Sequence, residues 1–296
     1  MSTVVTRQTT EDDITNKVVQ SLQGTPDARL RQVMTSLIKH LHAFAKDVQL
    51  TEAEWFEGIK FLTATGQKCD ANRQEFILLS DTLGLSMVVD LISHRKQPGA
   101  TESTVFGPFH REGAPHFPAG GDMGTADTKG TPLVISGRVL DTAGKPIAGA
   151  ELDVWQSNSE GFYDSQLPTS DTLQMRGKYT TDQDGRYVIL TRRPVKYPIP
   201  TDGPVGTMLN ATKRHPIRPA HVHFVVSAKG HEPVTTHIFD NDDPQLREGD
   251  TVFGVKESLV VKFREHAAGD AAAARGARVN GPFLTADFDF VLQPAK

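Results

Sequence analysis

The period of the apolar pattern changes once along the chain, and this change limits the folds that the chain can adopt. In the first third, residues such as Leu30, Val33, Leu37 and Leu41 recur at helical spacing, which is typical of amphipathic helices. From Leu133 onward, short runs rich in β-branched residues alternate with turn sequences, which is typical of strands. The pattern therefore predicts an α+β fold, with helices first and an antiparallel β-sandwich after them.

Three segments follow from this pattern. We predict a helical domain over residues 1–98, a linker or pocket loop over 99–132, and a β domain over 133–296. The middle segment is rich in Gly and Pro and has no periodicity, and a loop of this length is usually functional or a linker. Its His110 and His116 follow no regular spacing, so we interpret both as surface or structural residues.

Capping residues mark where the helices begin. Thr10 followed by acidic residues predicts the start of a first helix, and residues 24–27 (GTPD) end it and start a second. Thr51 is predicted to start a third helix. A fourth helix is predicted over residues 72–83 and a fifth over 85–92.

Turn sequences divide the β domain into short strands. LVISGRVL is followed by DTAGKP and then by GAELDVWQ, which predicts a hairpin over residues 133–156. The runs YTT, DQDG and RYVIL predict a second hairpin over residues 179–190. Further strands are predicted at residues 221–227, 234–239, 258–263 and 288–292, and residues 267–277, rich in Ala and Gly, are interpreted as a loose insertion.

Composition and charge exclude several classes of protein. The net charge of −4 gives no basic field for nucleic acid or anionic lipid. The single cysteine, Cys69, excludes an intramolecular disulfide framework and fits a reducing compartment. The first residues do not resemble a signal peptide, and no apolar run approaches the roughly 18 residues that a membrane span needs. We therefore predict a cytoplasmic protein with no nucleic-acid partner and no membrane span.

The most informative strand carries two histidines on one face. Because a strand repeats every two residues, His221 and His223 point to one side and Val222 to the other. An exposed face that merely carries two His is the alternative. In Arg218-Pro219 the proline restricts Arg218 to an extended backbone just before the strand. The apolar run that follows the two histidines predicts that the strand is buried, and burial is costly for two imidazoles without partners. Burial therefore favours a pair of metal ligands.

Two tyrosines in loops extend this candidate site. Tyr163 follows the strand that ends at Trp155, and Tyr197 lies in the proline-rich run KYPIP. Tyr179 and Tyr187 occupy strand positions and are interpreted as core or face residues. Phenol ionises only near pH ~10, so a Tyr, Tyr, His, His set suits a highly charged cation. A zinc or structural metal site made by the His pair alone stays open, as does a β-sandwich binding module without activity.

Four motifs then resemble one family, the intradiol ring-cleavage dioxygenases: LDVWQSNSEGFYD, RGKYTTDQDGRY, VKYPIPTDGPVG and RHPIRPAHVHF. The resemblance covers nearly the whole chain. It implies one Fe(III) per subunit, held by Tyr163, Tyr197, His221 and His223. It further implies that O2 cleaves a catechol between its hydroxylated carbons to a cis,cis-muconate. A homodimer through the N-terminal helices, with a phospholipid at the interface, is also implied.

The resemblance assigns roles to individual residues. Tyr197 is expected to leave the metal when substrate binds and to accept a proton, whereas Tyr163 stays bound. Arg218 is expected to stabilise the charge that develops on the ring; an ordinary ion pair with an acid is the alternative. His237 stands where catechol-cleaving relatives have Gln, and we expect it to orient O2 or Arg218.

Two stretches, VFGVKESLVVKF and RQEFILLSDTLGLSMVVD, resemble the hydroxyquinol-cleaving members of the family. This resemblance implies 1,2,4-trihydroxybenzene as substrate, with catechol or chlorocatechol as the alternative. Asp81 is expected to accept the third hydroxyl proton, and pairing with a basic residue or capping is the alternative role. The other expected substrate-binding residues are Leu78, Val105, Phe106, Gly107, Pro108, Ile199 and Pro200.

Overall fold

The computed structural model describes residues 8–70, 73–124, 128–167 and 172–295. The chain divides into two compact units, residues 1–64 and 65–296. The first unit contains α1 (Glu11–Ser21), α2 (Ala28–Asp47) and most of α3 (Glu52–Gln67). The prediction of a helical domain that extends to residue 98 stays a prediction.

The predicted helix starts in the first unit are confirmed. Thr10 Oγ1 accepts a hydrogen bond from the Asp13 backbone, and the Asp13 carboxylate accepts one from the Thr10 backbone. The carboxylate of Asp27 caps α2 by accepting from the backbone of Arg29 and Leu30. These reciprocal bonds satisfy N–H groups that the first turn of a helix leaves without partners.

The second unit begins with α4 (Glu75–Thr82) and α5 (Leu85–Ser93). The predicted fifth helix is confirmed, and the predicted start of the fourth at residue 72 lies outside the described residues. No single helix in the described ranges is long and apolar enough to cross a membrane, and α4 and α5 meet that test only as a pair bent by 80°. The unit's later helices are α6 (Pro204–Ala211), α7 (Gln245–Glu248) and α8 (Ala271–Ala274).

The second unit contains two five-stranded sheets. The strands, in chain order, are β1 (Pro132–Asp141), β2 (Glu151–Trp155), β3 (Arg176–Thr180), β4 (Arg186–Arg192), β5 (Tyr197–Pro198), β6 (Ile217–Arg218), β7 (His221–Ser227), β8 (Val234–Asp240), β9 (Val260–Val261), β10 (Arg264–His266), β11 (Phe283–Asp287) and β12 (Phe290–Leu292). One sheet has the order β10-β11-β1-β12, with β4 also paired to β1, and the other has the order β3-β2-β7-β8-β9. Strands β5 and β6 pair separately.

Both predicted hairpins are wrong in their pairing. Strand β1 pairs with β4, β11 and β12, whereas β2 pairs with β3 and β7. The turns after β1 and after β3 therefore carry the chain from one sheet to the other. A turn sequence fixes a reversal of direction, but the partner of a strand is chosen by contacts remote in sequence. For the same reason the sheets are mixed rather than purely antiparallel, since β1 pairs in parallel with β11 and β12, and β8 with β9.

Smaller differences concern the C-terminal third. The predicted strand over 258–263 begins as a 3₁₀ turn, Glu257–Leu259, and only β9 is a strand. The predicted loose insertion contains α8, and its Ala274 and Ala277 are buried against Phe283. Because Ala leaves little apolar signal, the sequence gives no hint of this small cluster.

Alternation along the strands separates the core from the site. Side chains of both sheets form one apolar cluster, which includes Leu133 of β1, Val154 of β2, and Val222 and Phe224 of β7. Because successive side chains point to opposite faces, His221 and His223 must lie on the face of β7 that is turned away from this cluster.

Candidate metal centre

Strand β7 places two imidazoles side by side, as the sequence predicts. His221 and His223 are each only 1% exposed, and their Nε2 atoms are 3.1 Å apart. His221 Nδ1 donates to the carbonyl of Pro219 at 2.6 Å. A carbonyl can only accept, so Nδ1 carries the proton and Nε2 of the neutral ring keeps a lone pair. The pair is therefore presented for ligation by its Nε2 atoms.

Two phenols complete a cluster of four donor atoms. Tyr163 Oη lies 2.9 Å from His223 Nε2 and 3.2 Å from Tyr197 Oη. Tyr163 precedes a 3₁₀ turn, and Tyr197 belongs to β5. Gly161, with φ of 86°, allows the close approach, because a Cβ there would lie 3.0 Å from the Tyr197 Cβ. The chain thus brings residues from three separate stretches to one point.

The electrostatics of the cluster favour a cation. Burial, followed by the positive charge of Arg218, lowers the pKa of His221 well below its usual range. Burial also lowers the pKa of His223 strongly, so both imidazoles are neutral and can ligate. Burial, followed by Tyr197, raises the pKa of Tyr163 well above that of free tyrosine. Only a nearby positive charge can hold such a phenol ionised at neutral pH.

The donor set fits a bound metal ion. Neighbouring donor atoms are 2.9–3.2 Å apart, which is the spacing that ligands take around one ion with bonds of about 2 Å. Two oxygen and two nitrogen donors, without a thiol, suit a hard or intermediate cation. His221, His223 and His237 also offer ligand atoms that all lie within 4.8 Å of one another.

Arg218 connects this cluster to a buried carboxylate. Its Nη1 lies 3.1 Å from His221 Nε2 and 3.5 Å from Tyr197 Oη. Its Nε and Nη2 donate to the two oxygens of Asp250, each at 3.2 Å. Burial lowers the pKa of Arg218 and the Asp250 charge raises it, and the net shift is upward. Arg218 thus forms the ion pair that was the alternative interpretation, and it also lies beside the donor cluster; its role in stabilising charge on the ring stays a prediction.

His237 lies behind the histidine pair on the next strand. It is opposite His223 in the β7–β8 register, and the two ring centres are 4.0 Å apart. Neither ring nitrogen of His237 forms a hydrogen bond of ordinary geometry within the described residues. The backbone of Val105 lies close enough to the ring to favour the charged form of His237. Burial, then His221 and Arg218, lowers its pKa well below the usual range.

Comparisons with known proteins identify the family of this chain. The model of a family described as dioxygenase matches residues 105–294, and the model described as catechol dioxygenase N terminus matches residues 27–101. The chain belongs to the intradiol dioxygenase family. It is 48% identical over 284 residues to 6-chlorohydroxyquinol 1,2-dioxygenase of Cupriavidus pinatubonensis, with 96% of this chain and 98% of that protein covered.

Two further relatives support this assignment. The hydroxyquinol 1,2-dioxygenase of a Rhizobium species is 48% identical over 283 residues, with 95% of each chain covered. The crystal structure of hydroxyquinol 1,2-dioxygenase from Pseudomonas putida DLL-E4 is similar to this chain with a TM-score of 0.91 and 51% identity, covering 96% of this chain and 99% of that one. The similarity to these relatives therefore extends over both the helices and the sheets.

Some of the predicted substrate-binding residues of this dioxygenase lie beside the donor cluster. Gly107 has φ of 76°, and a Cβ there would lie 3.2 Å from His223 Cε1. Ile199 is buried two residues after Tyr197. Asp81 is buried on α4 near Arg218 and Asp250, and burial is the main cause that raises its pKa. Its carboxylate accepts a hydrogen bond from Ser86, and the charge of Arg218 also acts on it. The role of Asp81, whether as acceptor for the substrate, as partner of a basic residue or as a cap, stays a prediction.

The other predicted substrate-binding residues have fewer contacts with the donor cluster. Leu78 and Val105 are buried, and Phe106 is 46% exposed with its ring 5.6 Å from Trp155. Within the described ranges, no hydrogen bond or ring contact joins Leu78, Phe106, Pro108 or Pro200 to the four donor side chains. Their part in binding substrate stays a prediction.

Three residues at the site were missed or undervalued from the sequence. Trp155 lies in β2 opposite His223, with the ring planes 14° apart. Asp250 holds Arg218, and no motif marks it. From the sequence, His110 is interpreted as a surface or structural residue. Its Nε2 is hydrogen-bonded to the Asp153 carboxylate at 3.1 Å, and its ring centre lies 4.7 Å from that of Trp155. Alternation alone puts Trp155 on the face opposite Val154, which is the signal that could have found it.

Proposed function

We propose that this dioxygenase cleaves hydroxyquinol, 1,2,4-trihydroxybenzene, between its adjacent hydroxylated carbons. O2 supplies both inserted oxygen atoms, and the product is 3-hydroxy-cis,cis-muconate, the enol form of maleylacetate. The observation that carries the chemistry is the cluster of Tyr163, Tyr197, His221 and His223 donor atoms. Full-length similarity to proteins named as hydroxyquinol dioxygenases supports the choice of substrate.

The same four residues are proposed to hold one Fe(III) per subunit. Two phenolates neutralise much of the ferric charge and so favour Fe(III) over Fe(II). A bound ferric ion would supply a site for the two adjacent substrate oxygens and draw electron density from them. Zinc sites use Cys, His and carboxylate instead, so the two buried phenols argue against zinc held by the His pair alone.

The protein groups around the cluster have separate proposed tasks. Tyr197 Oη accepts a proton from a substrate hydroxyl as the diol binds, while Tyr163 remains a ligand. The Arg218 guanidinium, held by Asp250, stabilises negative charge on the ring carbon that reacts with O2. His237 orients O2 or Arg218 from behind the histidine pair, at 4.0 Å from the His223 ring.

Asp81 is proposed to distinguish hydroxyquinol from catechol. A third hydroxyl buried without a partner would cost about 1–3 kcal/mol, and a carboxylate is a suitable acceptor. Asp81 is buried and within the electrostatic influence of Arg218, which supports a position near the reacting ring. Leu78, Val105, Phe106, Gly107, Pro108, Ile199 and Pro200 are proposed to pack around that ring.

The assembly is proposed to be a cytoplasmic homodimer formed through the N-terminal helices. Large apolar side chains are exposed on α2 and α3: Leu30, Val33, Leu37, Leu41, Phe44, Trp55, Phe56, Ile59 and Leu62. Exposed apolar side chains in this number favour association. The resemblance adds a phospholipid at that interface, and the shared core of the two sheets supports a β-sandwich in the second unit.

The function is tested with the iron-loaded protein under 18O2. We expect turnover of hydroxyquinol to a product that contains two labelled atoms, with a kcat/KM above those for catechol, chlorocatechols and protocatechuate. A higher kcat/KM for catechol would overturn the proposed substrate. An absence of ring cleavage with every diol would overturn the proposed activity and favour a binding module.

A further inference from the structure

The two imidazoles of the donor cluster are held in different ways. His221 donates from Nδ1 to the Pro219 carbonyl, whereas His223 Nδ1 is buried and has no hydrogen-bond partner in the described part of the chain. A metal-ligating histidine usually donates its second N–H to a carbonyl or carboxylate, which fixes the orientation of the ring. The orientation of His223 must therefore have another source.

Trp155 provides a flat surface against His223. The two residues are paired across β2 and β7, their ring centres are 4.7 Å apart, and their planes differ by 14°. Rotation of the imidazole about its Cβ–Cγ bond would break this stack. The backbone of Gly107 also lies close to the His223 ring, because a Cβ there would be 3.2 Å from Cε1.

The indole ring of Trp155 is held by packing. It is fully buried, and its Nε1 has no partner among the described residues. Phe106 and His110 pack against the indole with ring centres at 5.6 and 4.7 Å. Burial of an unpaired N–H is a cost that an apolar residue would avoid, so the benefit of Trp at this position lies in its ring.

We propose that Trp155 is a positioning residue that holds His223 in its ligating orientation by stacking. The inference rests on the proposed metal centre. Loss of a partner that orients a ligand typically lowers metal affinity 10–100-fold. Replacement of Trp155 by a residue without a ring should therefore accelerate iron release, whereas a smaller aromatic ring should largely preserve retention.

The test compares Trp155→Leu, Trp155→Met and Trp155→Phe with the wild type. Met is included because its unbranched, flexible side chain adapts to irregular gaps that a branched Leu fits poorly, which guards against a Leu variant that fails to fold. Phe224→Leu is the matched control, since Phe224 is a buried aromatic on β7 that points into the apolar core. Iron release to a ferric chelator is followed through the visible tyrosinate band, and the melting temperature of the metal-free protein is measured in parallel.

We expect the Leu and Met variants to bind iron about 10–100-fold more weakly, to release it to the chelator faster than the wild type and to shift the visible band, whereas Trp155→Phe stays near the wild type. Phe224→Leu should lower the melting temperature without changing the rate of iron release or the position of the visible band. Wild-type release and band position in the Met variant would overturn the inference. A wild type that binds no iron would overturn the proposed centre instead.

Discussion

The Oη of Tyr163 lies 2.9 Å from Nε2 of His223. Burial raises the pKa of this phenol and lowers the pKa of this imidazole, so both groups favour their uncharged forms. Each group alone is an uncharged hydrogen-bonding partner in a buried environment. Together with Tyr197 and His221 they form the donor cluster that we propose holds Fe(III), because a nearby positive charge favours the ionised phenol.

Arg218→Lys should lower kcat much more than it raises KM. A lysine keeps the charge but cannot donate to both Asp250 oxygens while it faces Tyr197, and loss of one preorganised donor costs about 10²–10³ in kcat. Steady-state kinetics with hydroxyquinol measure both constants. Arg193→Lys is the control, because Arg193 pairs with Asp240. An unchanged kcat in Arg218→Lys would exclude the proposed role.

Asp250→Asn should destabilise the fold. The Arg218–Asp250 pair is almost fully buried, and removal of one partner from a buried pair typically costs about 3–5 kcal/mol. Urea denaturation of the metal-free protein gives the free energy of unfolding. A loss below about 1 kcal/mol, the range of exposed pairs, would show that Asp250 does not compensate the charge of Arg218.

Asp81→Ala should reduce the preference for hydroxyquinol over catechol. Loss of the acceptor for the third hydroxyl should cost about 1–3 kcal/mol, or roughly 5- to 150-fold in the ratio of the two kcat/KM values. Ser86→Ala is the control, because it removes the partner of Asp81 but leaves the carboxylate. An unaltered ratio in Asp81→Ala would refute the role of this residue only.

Gly107→Ala should weaken iron binding as well as the fold. Gly107 has φ of 76°, and its added Cβ would lie 3.2 Å from His223 Cε1. Gly144→Ala is a matched control, because Gly144 has φ of 78° and no atom within 4 Å of the added Cβ. Both variants should lose about 1–2 kcal/mol from the left-handed backbone. If iron release is equally fast in both, Gly107 has no specific effect on His223.

The sequence predicts well what depends on neighbouring residues. The caps at Thr10 and Asp27, and the shared face of His221 and His223, follow from local periodicity and are confirmed. The partners of β1 and β2 are wrong because strand pairing depends on residues remote in sequence. The meeting of Tyr163 with Tyr197 does not follow from their spacing. Their chemistry made both tyrosines candidate ligands, and the resemblance to a known family implied that they share one metal ion.

The residues that support the site were harder to find. Asp250 looks like any acidic loop residue, and its role depends on a bidentate contact with a residue 32 positions away in sequence. From the sequence, Trp155 is an ordinary aromatic residue in a strand. Only the β2–β7 register shows that it lies opposite His223. Such supporting contacts require the positions of whole strands, which periodicity does not provide.

The iron content and visible absorption of purified protein test the four-donor centre most directly. We expect about one iron per chain and a tyrosinate band in the wild type, and loss of both in Tyr163→Phe and His223→Ala. Tyr187→Phe is the control, since Tyr187 is equally buried but donates to the Phe288 carbonyl, and it should keep its iron and colour. Wild-type iron and colour in both Tyr163→Phe and His223→Ala would contradict the assignment of the metal centre.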